Sequence, residues 1–233
     1  EPAAAFGRRC DDLNRGFRQP FRRDVMSDRT SAPDTVIFDL GGVLIDWNPR
    51  HLYRKLIPDE TERERFLADV CSPDWNLQQD YGRTIAEANA LLIERHPEQR
   101  ELIEAFYGRW DEMIPGAIDE TVAIFEALEA RGVPLFALTN WSAETYPRAE
   151  PRFPFLGRFR HVAVSGRQKM GKPDPRFYQH LFEVGGIDPR RAVFIDDSPT
   201  NVAAGATLGL TAIHFTGAED LARRLTALGL LAR

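Results

Sequence analysis

The sequence predicts a three-layer α/β fold, in which a parallel sheet core carries a small all-helical cap inserted after the first strand. Two patterns lead to this prediction. Short apolar runs typical of buried strands alternate with amphipathic helical segments over most of the chain. Between about residues 50 and 114 the strand pattern disappears, and only helical patterns remain.

The first predicted strand is the apolar run Val36-Ile37-Phe38, which stops at Asp39 and a glycine pair. This pattern indicates a buried strand that ends in a tight loop. Later strands are predicted over residues 133–138, 161–164, 192–195 and 211–215, with amphipathic helices between most of them. The alternation predicts a Rossmann-like core, whose ligands bind beyond the carboxyl ends of the strands.

In the inserted segment, helices are predicted to begin at Asp59, Thr84 and Glu98, with Pro58, Pro73 and Pro97 as breaks between them. Thr84 followed by Glu87 has the spacing of a capping box. An insert at this point of the chain is well placed to cover a site at the sheet edge. We therefore predict a core of residues 34–49 and 115–233 and a cap of residues 50–114.

Residues 1–33 differ in composition from the rest of the chain. They contain seven arginines, no lysine and few aliphatic side chains. So little apolar surface cannot offset the entropy of ordering the segment, which predicts a disordered leader. Its aspartates argue against an organelle-targeting peptide, and Met26 is an alternative start of the chain.

Charge and composition exclude several function classes. The formal net charge of −5 gives no global basic field, so we expect no binding to nucleic acid or to anionic lipid. No apolar run approaches the roughly 20 residues that span a bilayer. Cys10 and Cys71 lie far apart and share no metal-ligand spacing, which favours unpaired thiols and a cytoplasmic protein. The oligomeric state is left open between monomer and homodimer.

Polar side chains follow four predicted strands at the point where each strand ends. Since the carboxyl ends of parallel strands meet at one edge, these groups should converge on one crevice. Carboxylates gathered there repel one another unless a cation joins them, and an all-oxygen set suits Mg²⁺. A lysine would supply positive charge to a phosphoryl group. The residues are Asp39, Thr139 with Asn140, Lys172, and Asp196 with Asp197.

These segments resemble the four motifs of the haloacid dehalogenase superfamily, in the right order and spacing. They are Asp39-Leu40-Gly41-Gly42-Val43-Leu44, Leu138-Thr139-Asn140, Lys172-Pro173-Asp174-Pro175 and Phe194-Ile195-Asp196-Asp197-Ser198-Pro199-Thr200-Asn201. The match covers roughly residues 35–215, and the helical insert resembles the C1-type cap of subclass I.

The resemblance implies a role for each matching residue. Asp39 would attack phosphorus and form an aspartyl-phosphate that water then hydrolyses. Thr139 and Lys172 would hold the phosphate, helped by the backbone N–H of Asn140. The metal ligands would be Asp39, Asp197 and the carbonyl oxygen of Gly41. Asp196 would either bind the metal directly or support the neighbouring ligands.

Three further residues are candidates for the substrate site from their position. The loop at Gly42 offers backbone N–H donors, as anion sites do. Trp47 and Arg50 follow the first motif where the chain passes into the cap, and they could line the substrate entrance, although hinge packing explains them equally well. Ser198 and Asn201 are predicted to cap the following helix, and Asn201 also to brace the metal carboxylates.

The chain departs from the family pattern at Gly41, where most phosphatases of the superfamily have a second aspartate as general acid and base. Losing such a group costs roughly 10² to 10⁴ in rate. Three explanations remain open: a substrate with a good leaving group, such as a sugar 1-phosphate or acyl phosphate; a replacement by water or a cap residue; or a weak enzyme. A glucose-1-phosphatase-like branch with an Asp-Leu-Gly opening favours the first.

The sequence therefore predicts a Mg²⁺-dependent phosphatase that acts on a small phosphorylated metabolite, for example a sugar phosphate. One alternative is a 2-haloacid dehalogenase with Asp39 as nucleophile. Such enzymes need no metal, and the Asp196-Asp197 pair would repel a haloacid carboxylate. The other alternative is a non-catalytic phosphometabolite-binding protein, which has no need of its nucleophile.

Overall fold

The computed structural model describes residues 32–232, and the predicted leader lies outside the described residues except for its last two positions. Five strands form one parallel sheet in the order β3-β2-β1-β4-β5, which confirms the predicted α/β fold. The strands are β1 (Thr35–Phe38), β2 (Leu135–Thr139), β3 (His161–Val164), β4 (Ala192–Asp196) and β5 (Thr211–His214).

Strand β1 lies at the centre of the sheet and shows how the core is divided. Successive side chains of a strand point to opposite faces. Val36 and Phe38 accordingly join the apolar cluster on one face, while Ile37 joins the cluster on the other. All three are fully buried, which explains why this strand reads as a continuous apolar run rather than as an alternating one.

Helices cover the sheet and fill the segment between β1 and β2. Short 3₁₀ turns occur at Pro97–Gln99, Trp110–Met113, Pro154–Arg158 and Pro189–Arg191. The α-helices are α1 (Arg50–Leu56), α2 (Glu60–Asp69), α3 (Pro73–Asp80), α4 (Ile85–Arg95), α5 (Arg100–Gly108), α6 (Asp119–Ala130), α7 (Tyr146–Ala149), α8 (Ser165–Gln168), α9 (Pro175–Gly185), α10 (Pro199–Thr207) and α11 (Ala218–Ala227).

The structure confirms some helix boundaries in the insert and corrects others. Thr84 and Glu87 form the predicted capping box at the start of α4. Pro73, interpreted from the sequence as a break, instead occupies the first turn of α3, where its missing N–H costs nothing. The Ser72 hydroxyl caps this helix by accepting from the Trp75 N–H at 3.2 Å. Helix α3 was missed because Pro73 was interpreted as a break, and α1 was also missed.

The helical insert shares its apolar core with one face of the sheet. Tyr53, Phe106 and Trp110 of the insert belong to the same buried cluster as Val36 and Phe38. Polar contacts also cross the boundary, since the Tyr81 hydroxyl donates to the Lys172 carbonyl at 2.9 Å. The division into core and movable cap stays a prediction. Within residues 32–232, no helix is long and apolar enough to cross a bilayer.

Candidate active site

The carboxyl ends of three adjacent strands bring the predicted polar residues together. Asp39 directly follows β1, Thr139 ends β2, and Asp196 ends β4 with Asp197 next to it. The Asp39 N–H donates to the Ile195 carbonyl at 2.8 Å, which extends the sheet pairing to the candidate nucleophile. The backbone of Asp39 is thus held as firmly as the strand itself.

Lys172 lies at the centre of this group. Its ammonium nitrogen is 2.8 Å from Asp39 Oδ2 and 2.6 Å from Asp196 Oδ2. Burial works against the charge of Lys172, yet the two carboxylates hold its pKa above the ordinary value. The lysine therefore stays protonated and gives the floor of the site a fixed positive charge.

The electrostatics of Asp39 indicate a place for a further cation. Burial, together with the charges of Asp196 and Asp197, raises the pKa of its carboxyl to about 7, and Lys172 offsets only part of this increase. A divalent cation at the same place would lower this pKa and favour the ionised nucleophile. The Leu40 N–H already donates to Asp39 Oδ1 at 2.7 Å and orients the carboxyl.

The acidic residues fit such a cation in their geometry. One carboxylate oxygen each of Asp39, Asp196 and Asp197 lie within 4.8 Å of one another. Hard oxygen donors of this kind are those that Mg²⁺ takes in proteins. The structure thus brings together three of the four predicted metal ligands in a cluster that could hold a metal ion, and Gly41 lies beside them in the wall of the same cavity.

Asp196 differs from the other two carboxylates because its oxygens already have partners. Oδ2 accepts from Lys172, and Oδ1 accepts from the Ser198 N–H at 2.8 Å and from Asn201 Nδ2 at 3.0 Å. The prediction that the Ser198 side chain caps α10 is wrong, since Ser198 stands at the cap position but makes no side-chain capping bond. Its backbone N–H instead holds Asp196. Asn201 contacts Asp196 directly, as expected of a bracing residue.

Two glycines allow the loops to approach closely. A Cβ on Gly42 would stand 2.4 Å from Asp197 Oδ2, and the residue has a φ of +73° that favours glycine. A Cβ on Gly171 would stand 2.4 Å from the Tyr81 ring and 2.6 Å from Asn140 Oδ1. Gly42 therefore brings the first loop against Asp197, and Gly171 brings the lysine loop against the insert.

The Asn140 side chain has a contact that the sequence did not predict. Its Oδ1 accepts from the Lys172 N–H at 2.8 Å, and its Nδ2 donates to the Lys172 carbonyl at 2.9 Å. This pair of bonds fixes the backbone of the lysine, whereas the sequence assigned Asn140 a role through its own N–H. Thr139 lies beside it and is 1% exposed.

A cavity of about 360 Å³ opens above Asp39 between the sheet edge and the insert. The core contributes Asp39, Gly41, Gly42 and Asp197, with Asn140, Trp141 and Thr145 from the segment after β2. The insert and its approach contribute aromatic and polar groups, among them Trp47, Arg50, Asn76, Asp80, Tyr107 and Trp110. The predicted entrance residues Trp47 and Arg50 thus lie in the same cavity wall as the candidate nucleophile.

Arg50 does not face the cavity as a free cation. Its Nε lies 2.9 Å and 3.0 Å from the two carboxylate oxygens of Glu64, and its terminal nitrogen also contacts Glu64. The role of Arg50 in substrate binding stays a prediction, and an anionic substrate would have to compete with Glu64 for it.

Asp80, the last residue of α3, is a cavity residue that the sequence analysis did not single out. Burial raises the pKa of its carboxyl to about 7, against opposing effects of a backbone hydrogen bond from Ser142 and of Lys172. A signal was present, because Ser72 followed by Pro73 is a typical helix start. It would have placed Asp80 near the end of a short helix.

Fold and site together define the class of protein: a parallel-sheet enzyme with a carboxylate and lysine cluster at the carboxyl edge of its strands. A family model described as haloacid dehalogenase-like hydrolase matches residues 33–209. The chain therefore belongs to the haloacid dehalogenase-like hydrolases, as the four motifs predicted.

Individual relatives agree with this membership. The chain is similar to a sesquiterpene phosphatase (astK) of Aspergillus oryzae, with 24% identity over 77% of this chain and 88% of the relative. It is also similar to a phosphoglycolate phosphatase of Mesorhizobium japonicum, with 26% identity over 76% of this chain and 80% of the relative. A crystal structure of a family enzyme from Bacteroides thetaiotaomicron, in complex with magnesium and inorganic phosphate, has a TM-score of 0.59. It is 26% identical over 78% of this chain and 93% of that chain.

Proposed function

We propose that the protein is a Mg²⁺-dependent phosphatase that hydrolyses a small phosphomonoester through an aspartyl-phosphate on Asp39. The observation that carries the proposal is the buried lysine held between the candidate nucleophile and Asp196, with a carboxylate cluster beside it. Such a site has one fixed positive charge and room for a divalent cation, as the binding of a phosphoryl dianion requires. The phosphatase relatives support the same reaction class.

In this proposal Asp39 Oδ attacks phosphorus while the bond from phosphorus to the leaving oxygen breaks. Lys172 and the Thr139 hydroxyl hold the phosphoryl oxygens, and the N–H groups of the loop at Gly42 add further donors. Water then attacks phosphorus, which releases inorganic phosphate and restores the Asp39 carboxylate. Asp39 and Asp196 are buried, which limits the access of bulk water to the nucleophile.

Mg²⁺ would be held by Asp39, Asp197 and the Gly41 carbonyl, while Asp196 supports the set through Lys172 and Asn201. When bound, it would offset the repulsion of the carboxylates and polarise the phosphoryl group. The division of labour follows from the contacts of Asp196, whose two oxygens are already engaged.

The test is phosphate release from a panel of esters (p-nitrophenyl phosphate, alkyl phosphates, acetyl phosphate, and sugar 1- and 6-phosphates). Turnover should require Mg²⁺ and disappear with chelator or in Asp39→Asn. Absence of turnover on every ester would overturn the proposal. Halide release from 2-chloropropionate without metal would then identify the dehalogenase alternative, and phosphate binding without turnover the binding protein.

A further inference from the structure

Asp80 lies where two cavities meet. The cavity above Asp39 adjoins a second one of about 610 Å³ inside the helical insert. Asp80 and Asn76 of α3 line both cavities, together with Trp47, Pro49 and Arg50. An ester with its phosphoryl group at Asp39 and its body in the second cavity would pass through this junction. Asp80 therefore lines the path between the phosphoryl group and the rest of the ester.

The Asp80 carboxyl and its backbone carbonyl each have a hydrogen-bond partner. Asn76 Nδ2 donates to the carboxyl Oδ2 at 3.2 Å. The Ser165 hydroxyl donates to the Asp80 carbonyl at 2.5 Å, which ties the end of α3 to the sheet domain. Asn76 is itself fixed, since the Tyr107 hydroxyl donates to its Oδ1 at 2.8 Å.

The protonation of Asp80 suits proton transfer near neutral pH. Burial is the main cause that raises its pKa to about 7, and the positive charge of Lys172 opposes it. The other titratable groups that sense Asp80 are the phenols of Tyr81 and Tyr107, both of which are neutral at this pH because burial raises their pKa values. A general acid works best when its pKa lies near the working pH.

The first motif lacks the aspartate that serves this purpose in most phosphatases of the family, since Gly41 stands there. We propose that Asp80 of the helical insert is the general acid and base of this enzyme, in place of the residue missing at Gly41. The inference rests on the proposed phosphatase function and assigns its proton transfers to a side chain of the insert.

The proposed steps balance as follows. Asp39 Oδ bonds to phosphorus, the ester bond breaks, and the leaving oxygen takes the proton of Asp80 to give the free alcohol. Asp80, now a carboxylate, takes a proton from the water that attacks the aspartyl-phosphate. Phosphate leaves, and both aspartates return to their starting forms.

The decisive variant is Asp80→Asn, compared on two esters of different leaving groups. Butyl phosphate needs a proton on its leaving oxygen, and kcat/KM should fall by roughly 10² to 10⁴. 2,4-Dinitrophenyl phosphate needs none, and its kcat/KM should fall less than about tenfold. Dinitrophenol should then appear in a burst followed by a slow steady state, because hydrolysis of the aspartyl-phosphate still lacks its base.

Two further variants separate a chemical role from a structural one. Gly41→Asp introduced into the Asp80→Asn protein should restore butyl phosphate turnover, because a Cβ at position 41 meets only the Trp47 Cβ, at 3.9 Å. Asp69→Asn, at the exposed end of α2, is the matched control and should leave both esters unaffected. In the wild type, kcat/KM for butyl phosphate should fall at pH values above about 7, because Asp80 loses its proton there. This fall should be absent in Asp80→Asn.

An equal fall of kcat/KM on both esters, or no fall on either, would overturn the assignment of Asp80. If the wild type turns over esters and Asp39→Asn does not, such a result leaves the phosphatase proposal intact. If the wild type turns over no ester, the phosphatase proposal itself has failed, and with it the inference.

The second cavity independently indicates the chemical class of the leaving group. Its walls away from the junction include the apolar residues Leu67, Ala68, Cys71, Leu77 and Phe106, and its polar groups there are Glu64, Ser72 and Asp74. Apolar walls stabilise an apolar ligand, whereas sugar hydroxyls buried there would lose hydrogen bonds to water. We infer that the enzyme takes phosphomonoesters with an apolar body, such as alkyl, isoprenoid or aromatic phosphates. This inference too rests on the proposed function.

A series of n-alkylphosphonates tests this without turnover, from ethyl to octyl, with binding measured by calorimetry in the presence of Mg²⁺. Affinity should rise by up to about fourfold per methylene until the cavity is filled, and the slope should flatten in Leu77→Gln. A Kd independent of chain length, or glucose phosphates that bind more tightly than octylphosphonate, would overturn the inference. Because binding is measured directly, failure here is distinguishable from failure to hydrolyse.

Discussion

At the scale of single residues, the site depends on a lysine shared by two buried carboxylates. Asp196 and the Lys172 side chain are fully buried, and their separation is 2.6 Å. An uncompensated charge left in such a place is costly, because the protein interior solvates it poorly. Removing one partner of this pair should therefore destabilise the fold as well as alter the candidate site.

We expect Lys172→Met to lower the free energy of unfolding by about 3–5 kcal/mol, because the buried Asp196 loses its partner. Urea denaturation at pH 7.5 without divalent cations measures this. The matched control is Lys55→Met, which breaks a surface pair with Glu112 and should cost several-fold less. Equal costs in the two variants would indicate that the buried lysine contributes no more to stability than a surface ion pair does.

Gly42→Ala tests the close approach of the first loop to Asp197. The new Cβ would clash with Asp197 Oδ2 and the φ of +73° would be strained, so the carboxylate must shift. We expect the Mg²⁺ concentration for half-maximal activity to rise roughly 10- to 100-fold. Gly157→Ala, where no atom lies within 4 Å of the added Cβ, should show a normal Mg²⁺ requirement.

At the scale of elements, α3 connects the helical insert to the candidate active site. Its N-terminus is fixed by Ser72, and its last residue, Asp80, reaches the junction of the two cavities. Helix α4 starts from a similar cap at Thr84. None of the described residues that line the two cavities belongs to α4, however. Variants at the starts of these two helices can therefore separate an effect on stability from an effect on catalysis.

Ser72→Ala and Thr84→Ala should each reduce stability by about 1 kcal/mol, because each leaves an N–H at the start of a helix without its partner. Only Ser72→Ala should also lower kcat/KM for alkyl phosphates, since fraying of α3 displaces Asn76 and Asp80. Thermal unfolding and steady-state kinetics of the two variants give the comparison. A similar loss of activity in both would mean that catalysis follows overall stability and not the position of α3.

At the scale of the whole molecule, a metal ion that binds only the folded chain should stabilise it. The stabilisation follows the ratio of ligand concentration to Kd and reaches about 2.7 kcal/mol at 100 times Kd. We expect Mg²⁺ to raise the unfolding midpoint of the wild type progressively and to have little effect on Asp197→Asn. Asp220→Asn, which removes a carboxylate paired with surface arginines, should retain the Mg²⁺ effect. An undiminished Mg²⁺ effect in Asp197→Asn would exclude Asp197 as a ligand.

The sequence by itself determined the strands, most of the helices and the group of polar residues at the strand ends. These features depend on local patterns: a buried parallel strand must be apolar on both faces, and Asp39, Lys172 and Asp196 stand in motifs whose spacing is readable. Compared with the first motif of the family, the sequence also showed that Gly41 stands in place of the second aspartate.

Only the tertiary structure indicated which residue could replace this missing general acid and base. Asp80 lies 39 positions after Gly41 in the numbering, on a helix missed because Pro73 was interpreted as a break. Its raised pKa arises from burial between α3 and the core, and the side-chain bonds from Asn140 to the Lys172 backbone likewise join segments distant in sequence. Burial and through-space contacts depend on how the chain closes on itself, and no local pattern encodes them.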